Sequence, residues 1–235
     1  MAADSRRQPL AWTKGFPSPQ VIVVDMPSAG QAAVVVGRPG LGRDDPAYHL
    51  SLVTNSILGG GYSSRLNEEI RIKRGLSYGA GSSFDLRREV GPFTATVQTK
   101  NESAGEVAGL VVDELNKLGT TPVEDAELGP RKAVLIGGFG RQLETNAGLV
   151  GRIGTLALYG LSLDEINRYI SGVQAITAAD VQKFAAAHLG ANDASIVIVG
   201  DAKKFLPALQ QRFKNVEVIP IDELDVNSAT LRKAK

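Results

Sequence analysis

Three consecutive glycines, Gly59, Gly60 and Gly61, stand before "YSSRLNEEIRIKR" and are the first residues in this chain that could hold a ligand. Backbone N–H groups at the start of a helix can cradle a phosphate. A phosphate loop of that kind follows a strand and ends in Gly-Lys-Ser/Thr, whereas these glycines follow a helix-patterned segment and lead into Tyr-Ser-Ser. The plainer reading is a tight link between two helices, with glycine supplying positive φ. Metal chemistry finds less support. The two histidines, His49 in "HLSLV" and His188 in "HLGAN", each stand alone. Neither forms the paired-histidine motif of a zinc peptidase, and a catalytic zinc takes three protein ligands. No cysteine is present, which excludes disulfides and thiolate sites. A nucleophilic serine at a Gly-x-Ser-x-Gly elbow is also missing, and no carboxylate pair stands out for acid–base work.

The elements that must position any site can be read from periodicity. "VIVVD" (21–25) and "AAVVVGR" (32–38) are two β-branched strands joined by a turn. Residues 46–58 carry Leu50, Val53, Ile57 and Leu58 at helical spacing, and the short helix after the glycines puts Leu66 and Ile70 on one face. Residues 76–88 and 92–100 read as strands. The next helix is expected to open with a capping box of Ser103 and Glu106 and to end at Gly119. Another helix starts near Glu124, with Pro130 expected to kink or restart it. A second capping box is expected at Ser162 and Glu165, and a further helix starts at Thr177. Strand 194–200, a helix from Asp201 and a final strand "VEVIPI" close the pattern.

Runs of strands followed by runs of helices predict an α+β fold. It has one mixed, largely antiparallel sheet with helices packed mainly on one face. Residues 1–20, with Pro9, Pro17 and Pro19, read as a linker or flexible tail, residues 21–221 as a single domain, and 222–235 as a frayed tail. The 26 basic and 25 acidic side chains leave a formal charge of +1, which gives no electrostatic case for nucleic acid. No apolar run approaches the roughly 18 residues of a membrane span. The absence of cysteine suits the cytoplasm and the bacterial periplasm alike.

Residues 57–84, "ILGGGYSSRLNEEIRIKRGLSYGAGSSF", resemble the signature of the non-zinc, C-terminal-type half of the insulinase/pitrilysin peptidases, the inverzincins. Three more stretches extend the resemblance over roughly residues 20–205: "VGRPGLGRDDPAYHLSLVTNSILGGG", "GGFGRQLETNAGLVGRIGTLALYGL" and "ITAADVQKFAAAHLGANDASIVIVGD". The resemblance implies one half of a clamshell around an inner chamber, with zinc held by the HxxEH motif of a homologous partner half. It also implies that Arg71, at a helix end, and Tyr78, seven residues on in the following strand, meet the peptide substrate and support its transition state. This chain lacks the zinc motif, so it is expected to hold no metal and to be inactive alone. It would act either as the second subunit of a two-chain peptidase or as an excised half, and could self-associate when isolated. Two other readings stay open at this point. One is a non-catalytic scaffold that keeps the fold as an assembly subunit; the other is a small-molecule domain using the glycine loop.

Overall fold

The computed structural model describes residues 20–234. The expected linker at 1–20 therefore lies, but for Gln20, outside the described residues. Strands β1 (Val21–Asp25), β2 (Ala32–Pro39), β3 (Ala80–Phe84), β4 (Pro92–Thr99), β5 (Ser195–Gly200) and β6 (Val216–Pro220) form one sheet in the order β3-β4-β2-β5-β1-β6. The pairs β3–β4, β4–β2 and β2–β5 are antiparallel, and β1 pairs parallel with both β5 and β6. Mixed pairing with an antiparallel majority is the expected class. The expected turn after Asp25 does not make a hairpin, because β5 is inserted between β1 and β2. The reason is topological: β1 finds both of its partners in the C-terminal βαβ unit.

Strand alternation decides which face is covered. Val34 and Val36 of β2, Ala95 and Val97 of β4, and Ile196 and Ile198 of β5 point to the buried side. Their neighbours Ala33, Val35, Thr94, Ser195 and Val197 stay partly exposed. Helix α3 (Ala104–Thr120) lies across the covered face against β2 and β4, flanked by α7 (Ala178–His188) and α8 (Leu206–Arg212). Fully buried aliphatic side chains each contribute about 1.5–3 kcal/mol, so this layer holds the sheet in one piece. Helix α1 (Tyr48–Leu58) packs on α7 and on α4 (Asp125–Leu143). Helices α5 (Asn146–Tyr159) and α6 (Asp164–Ala175) pack in turn on α4. Pro130 sits inside α4 without breaking it.

Both sheet edges are blunted, which prevents open strands from pairing with other chains. At β3 the N–H of Ser82 donates to the carbonyl of Gly59 at 3.1 Å. At β6 the guanidinium of Arg232 donates to the carbonyl of Val218 at 2.9 Å and binds Glu223 at 2.6 Å. The stretch from Asp222, expected to fray, folds back on β6 through that arginine and a Leu224–Arg232 bridge.

Candidate functional site

The site begins where α1 ends. A Cβ on Gly59 would lie 2.3 Å from the backbone nitrogen of Ser82, and one on Gly60 would lie 3.0 Å from the carbonyl oxygen of Asn55. Gly61 has open space around it. Left-handed backbone occurs at Gly75 and Gly160 but at none of these three. The loop thus needs its first two glycines for close approach to β3 and to the last turn of α1, and the expected positive φ is not the reason.

A short helical turn α2 (Arg65–Asn67) follows and widens into a π-helical turn over Glu68–Ile72, where the N–H of Lys73 reaches the carbonyl of Glu68 at 2.9 Å. Such π turns inside helices recur at functional sites. Two contacts fix the segment. Leu66 and Ile70 are completely buried, and Arg65 makes a bidentate pair with Glu127 of α4, Nη2 to Oε2 at 2.7 Å. Hydrogen bonding to Glu127 raises the pKa of Arg65 against the opposing effect of burial.

Arg71 rides on the π turn, and its surroundings differ from those of its basic neighbours. Glu69 binds Lys73 at 3.2 Å and also Arg74. Burial alone would push the Glu69 carboxyl up, but hydrogen bonds from Arg74 and Lys73 outweigh it and hold the group below the usual carboxylate range. Arg71 has no carboxylate partner among the described residues; its Cζ lies 4.8 Å from the ring centre of Tyr62. It lines a shallow depression of about 440 Å³ with the three glycines, Tyr62, Asn67 and Ala80.

Gly75, at φ +62°, ends the helix, with Leu76 N–H donating to the carbonyl of Ile70 at 2.9 Å. The chain then makes a tight turn in which the Ser77 hydroxyl accepts from Gly79 N–H at 3.0 Å and donates to Gly79 O at 2.6 Å. Tyr78 stands at the tip of that turn, 89% exposed. It precedes β3, which starts at Ala80, so the expected placement of Tyr78 in the strand is corrected. The Ser77 bonds curl the chain too tightly for ladder pairing there. Tyr78 lines a second depression, of about 420 Å³, over the open sheet face with Gln31, Ala33, Thr96 and Gln98. Arg71 and Tyr78 thus line two different depressions, one bounded by Ala80 and the other by the adjacent Gly79.

Residues 3–135 match the family described as the peptidase M16 inactive domain. A protein of Streptomyces coelicolor named as an uncharacterised zinc protease is 31% identical over 173 residues, covering 74% of this chain and 38% of that protein. A crystal structure of a peptidase M16 inactive domain from Pseudomonas fluorescens aligns with a TM-score of 0.73 at 31% identity, covering 78% of this chain and 44% of that one. The non-peptidase homologue YmxG of Helicobacter pylori is 26% identical, covering 66% of this chain and 36% of that protein. The chain belongs to the peptidase M16 family, as an inactive domain. It spans less than half the length of these relatives.

As an M16 inactive domain the chain should be tested for the zinc its relatives' names imply. The residues present do not fit that ion. His49 packs between Tyr48 and Tyr169, with ring centres at 5.0 and 5.5 Å, and His188 stacks on Phe184 at 4.7 Å. Among the described residues no three His, Asp or Glu side chains gather at one point. A cleft of about 640 Å³ between α1 and α6 holds His49, Arg43, Glu165 and Arg168. Asp44 and Asp45 also line it; Arg43 and Arg152 both donate to Oε1 of Glu165, at 2.5 and 2.7 Å, and Asp45 accepts from the N–H of Ala47 at 2.8 Å.

Tyr62 and Asn67 share the depression with Arg71, although sequence reasoning passed over them. The available signal was spacing, since Asn67 lies one helical step of four residues before Arg71.

Proposed function

We propose that this domain is the substrate-binding, non-zinc half of an M16 zinc peptidase, with Arg71 and Tyr78 as the groups that meet the peptide. One observation carries the reading. Where Lys73 and Arg74 both pair with Glu69, Arg71 is left without a carboxylate partner among the described residues. A guanidinium held ready in this way can donate to peptide carbonyl oxygens in a forked geometry. The Tyr78 hydroxyl, exposed and without a hydrogen-bond partner among the described residues, adds a neutral donor. Zinc, held by a homologous half, would supply Lewis-acid chemistry and an activated water. Preorganised donors aimed at the oxygen that gains charge would complement it.

The test uses the chain together with its zinc-bearing half. Arg71→Ala and Tyr78→Phe should lower peptide turnover with folding and zinc content intact. The loss should be at most about the 10²–10³ in rate that removing one oxyanion donor takes from a well-studied hydrolase. Lys73→Ala and Arg74→Ala should stay near wild type. If the four variants behave alike, the reading is wrong.

A second reading is a non-catalytic assembly subunit. It is favoured by α5, whose apolar residues are mostly uncovered, and by the name of the YmxG relative. Turnover by the reconstituted pair decides between the two.

A further inference from the structure

We propose that Asn67 and Tyr62 are positioning residues that set the Arg71 guanidinium, and with it the entry of Tyr78, before any peptide arrives. The inference rests on the reading that Arg71 meets the substrate, and it adds how that side chain is held.

An exposed arginine carries large rotamer freedom, which must be lost when it grips a carbonyl. Arg71 is spared part of that loss by lying over the face of Tyr62, an attraction between cation and ring. The ring can act as a platform only if its own backbone is fixed. Tyr62 follows Gly61, where an added Cβ would meet nothing within 4 Å, and is itself 66% exposed. What fixes it is Asn67, 3% exposed, whose Nδ2 donates to the carbonyl oxygen of Tyr62. The Oδ1 of the same side chain accepts from the N–H of Ala80 at 3.3 Å. Ala80 opens β3 two residues after Tyr78.

A single buried amide thus ties the platform under Arg71 to the strand entry that presents Tyr78. The pairing demands an amide, because one end must donate and the other accept. A carboxylate has only acceptors and would face the Tyr62 carbonyl with like charge density, and an aliphatic side chain satisfies neither group. Position 67 is also four residues before Arg71, so the clasp and the guanidinium rise from the same face of the turn.

The experiment reads the Arg71 Nε–Hε resonance in the isotope-labelled full chain, assigned by its loss in Arg71→Lys. The Tyr62 ring should displace that resonance through its ring current. Tyr62→Phe should keep the displacement, since the ring face remains. Tyr62→Ala should abolish it with little change in the melting midpoint, because the side chain is exposed. Asn67→Asp should move both the Arg71 resonance and the Ala80 amide. In the pair with the zinc-bearing half, Tyr62→Ala should raise KM for a fluorogenic peptide about two- to five-fold, the size of an exposed cation–ring attraction. Tyr62→Phe should restore it. An Arg71 resonance that stays in place in both Tyr62→Ala and Asn67→Asp overturns the proposal. A resonance that moves while Arg71→Ala turns over peptide like wild type upholds the clasp and overturns the proposed function instead.

Discussion

The carbonyl of Gly59 accepts a hydrogen bond from the N–H of Ser82, and the two backbones are so close that a Cβ on Gly59 would stand 2.3 Å from that nitrogen. The glycine loop thereby covers part of the β3 edge beside the candidate site.

Gly59→Ala should therefore be destabilising, since the obstacle is backbone that cannot swing aside. Overpacking of this kind costs about 1–3 kcal/mol, and the shift should disturb the β3 edge first. Gly61→Ala meets nothing within 4 Å and has no left-handed φ, so it should lie within about 0.5 kcal/mol of wild type. Urea unfolding of both variants checks the contrast. Equal midpoints would show that close approach is not what the first glycine provides.

Glu165 gives a second prediction. Two guanidiniums share one of its oxygens, and all three side chains are largely buried. Glu165→Gln leaves both cations uncompensated, and breaking a buried pair in this way costs about 3–5 kcal/mol. The exposed Arg212–Asp113 pair should contribute at most about 1 kcal/mol, so Asp113→Asn serves as the control. Comparable losses in chemical denaturation would mean that the Glu165 cluster is hydrated like the surface pair.

His49 predicts a pH dependence. Burial is the main force lowering its pKa; Glu165 opposes it, while Arg43, Arg152 and Arg168 add to it. Gly172 leaves room for the ring, since a Cβ there would lie 3.0 Å from Nδ1. The unfolded imidazole takes up its proton near the ordinary value of about 6.5, whereas the folded one resists. Above that pH the group contributes no slope. As pH falls from there toward the depressed folded value, the unfolded state binds more protons and stability drops. His49→Gln should remove that part of the acid-side loss. The check is the melting midpoint of variant and parent across the range from neutral to mildly acidic, and parallel curves would contradict it.

Local pattern made the strands legible. The β-branched runs "AAVVVGR" and "ASIVIVG" mark β2 and β5, but not which side is covered, since Val34 is buried and its identical neighbour Val35 is partly exposed. What local pattern could not show was competition from distant groups. Of the helix starts read as capping boxes, Ser103 makes no side-chain cap, being the last residue of a 3-10 turn. At Ser162 the expected Glu165 is drawn away by Arg43 and Arg152. The reciprocal box forms instead at Thr177 and Asp180. At the site, Arg71 and Tyr78 were reachable through resemblance to a known pattern. The π turn was not, because Leu66 and Ile70 keep ordinary helical spacing through it. Nor was the Asn67 clasp, since it closes on Ala80, thirteen residues away.

The last prediction concerns α5. Leu149, Val150, Ile153 and Leu158 are all exposed, Val150 to 69%, and Leu156 alone of the helix is buried. A helix this apolar with so little of it covered is expected to serve as an interaction surface. The isolated chain should self-associate through it as concentration rises, and a zinc-bearing half should compete for part of the same surface. Val150→Glu combined with Leu158→Glu should shift the isolated chain toward monomer in light scattering. Its helical circular dichroism should stay unchanged, because neither side chain supports the core. The same double variant should weaken association with the zinc-bearing half. If the parent is strictly monomeric at high concentration and the double variant pairs with that half as tightly as the parent does, α5 is not the contact surface.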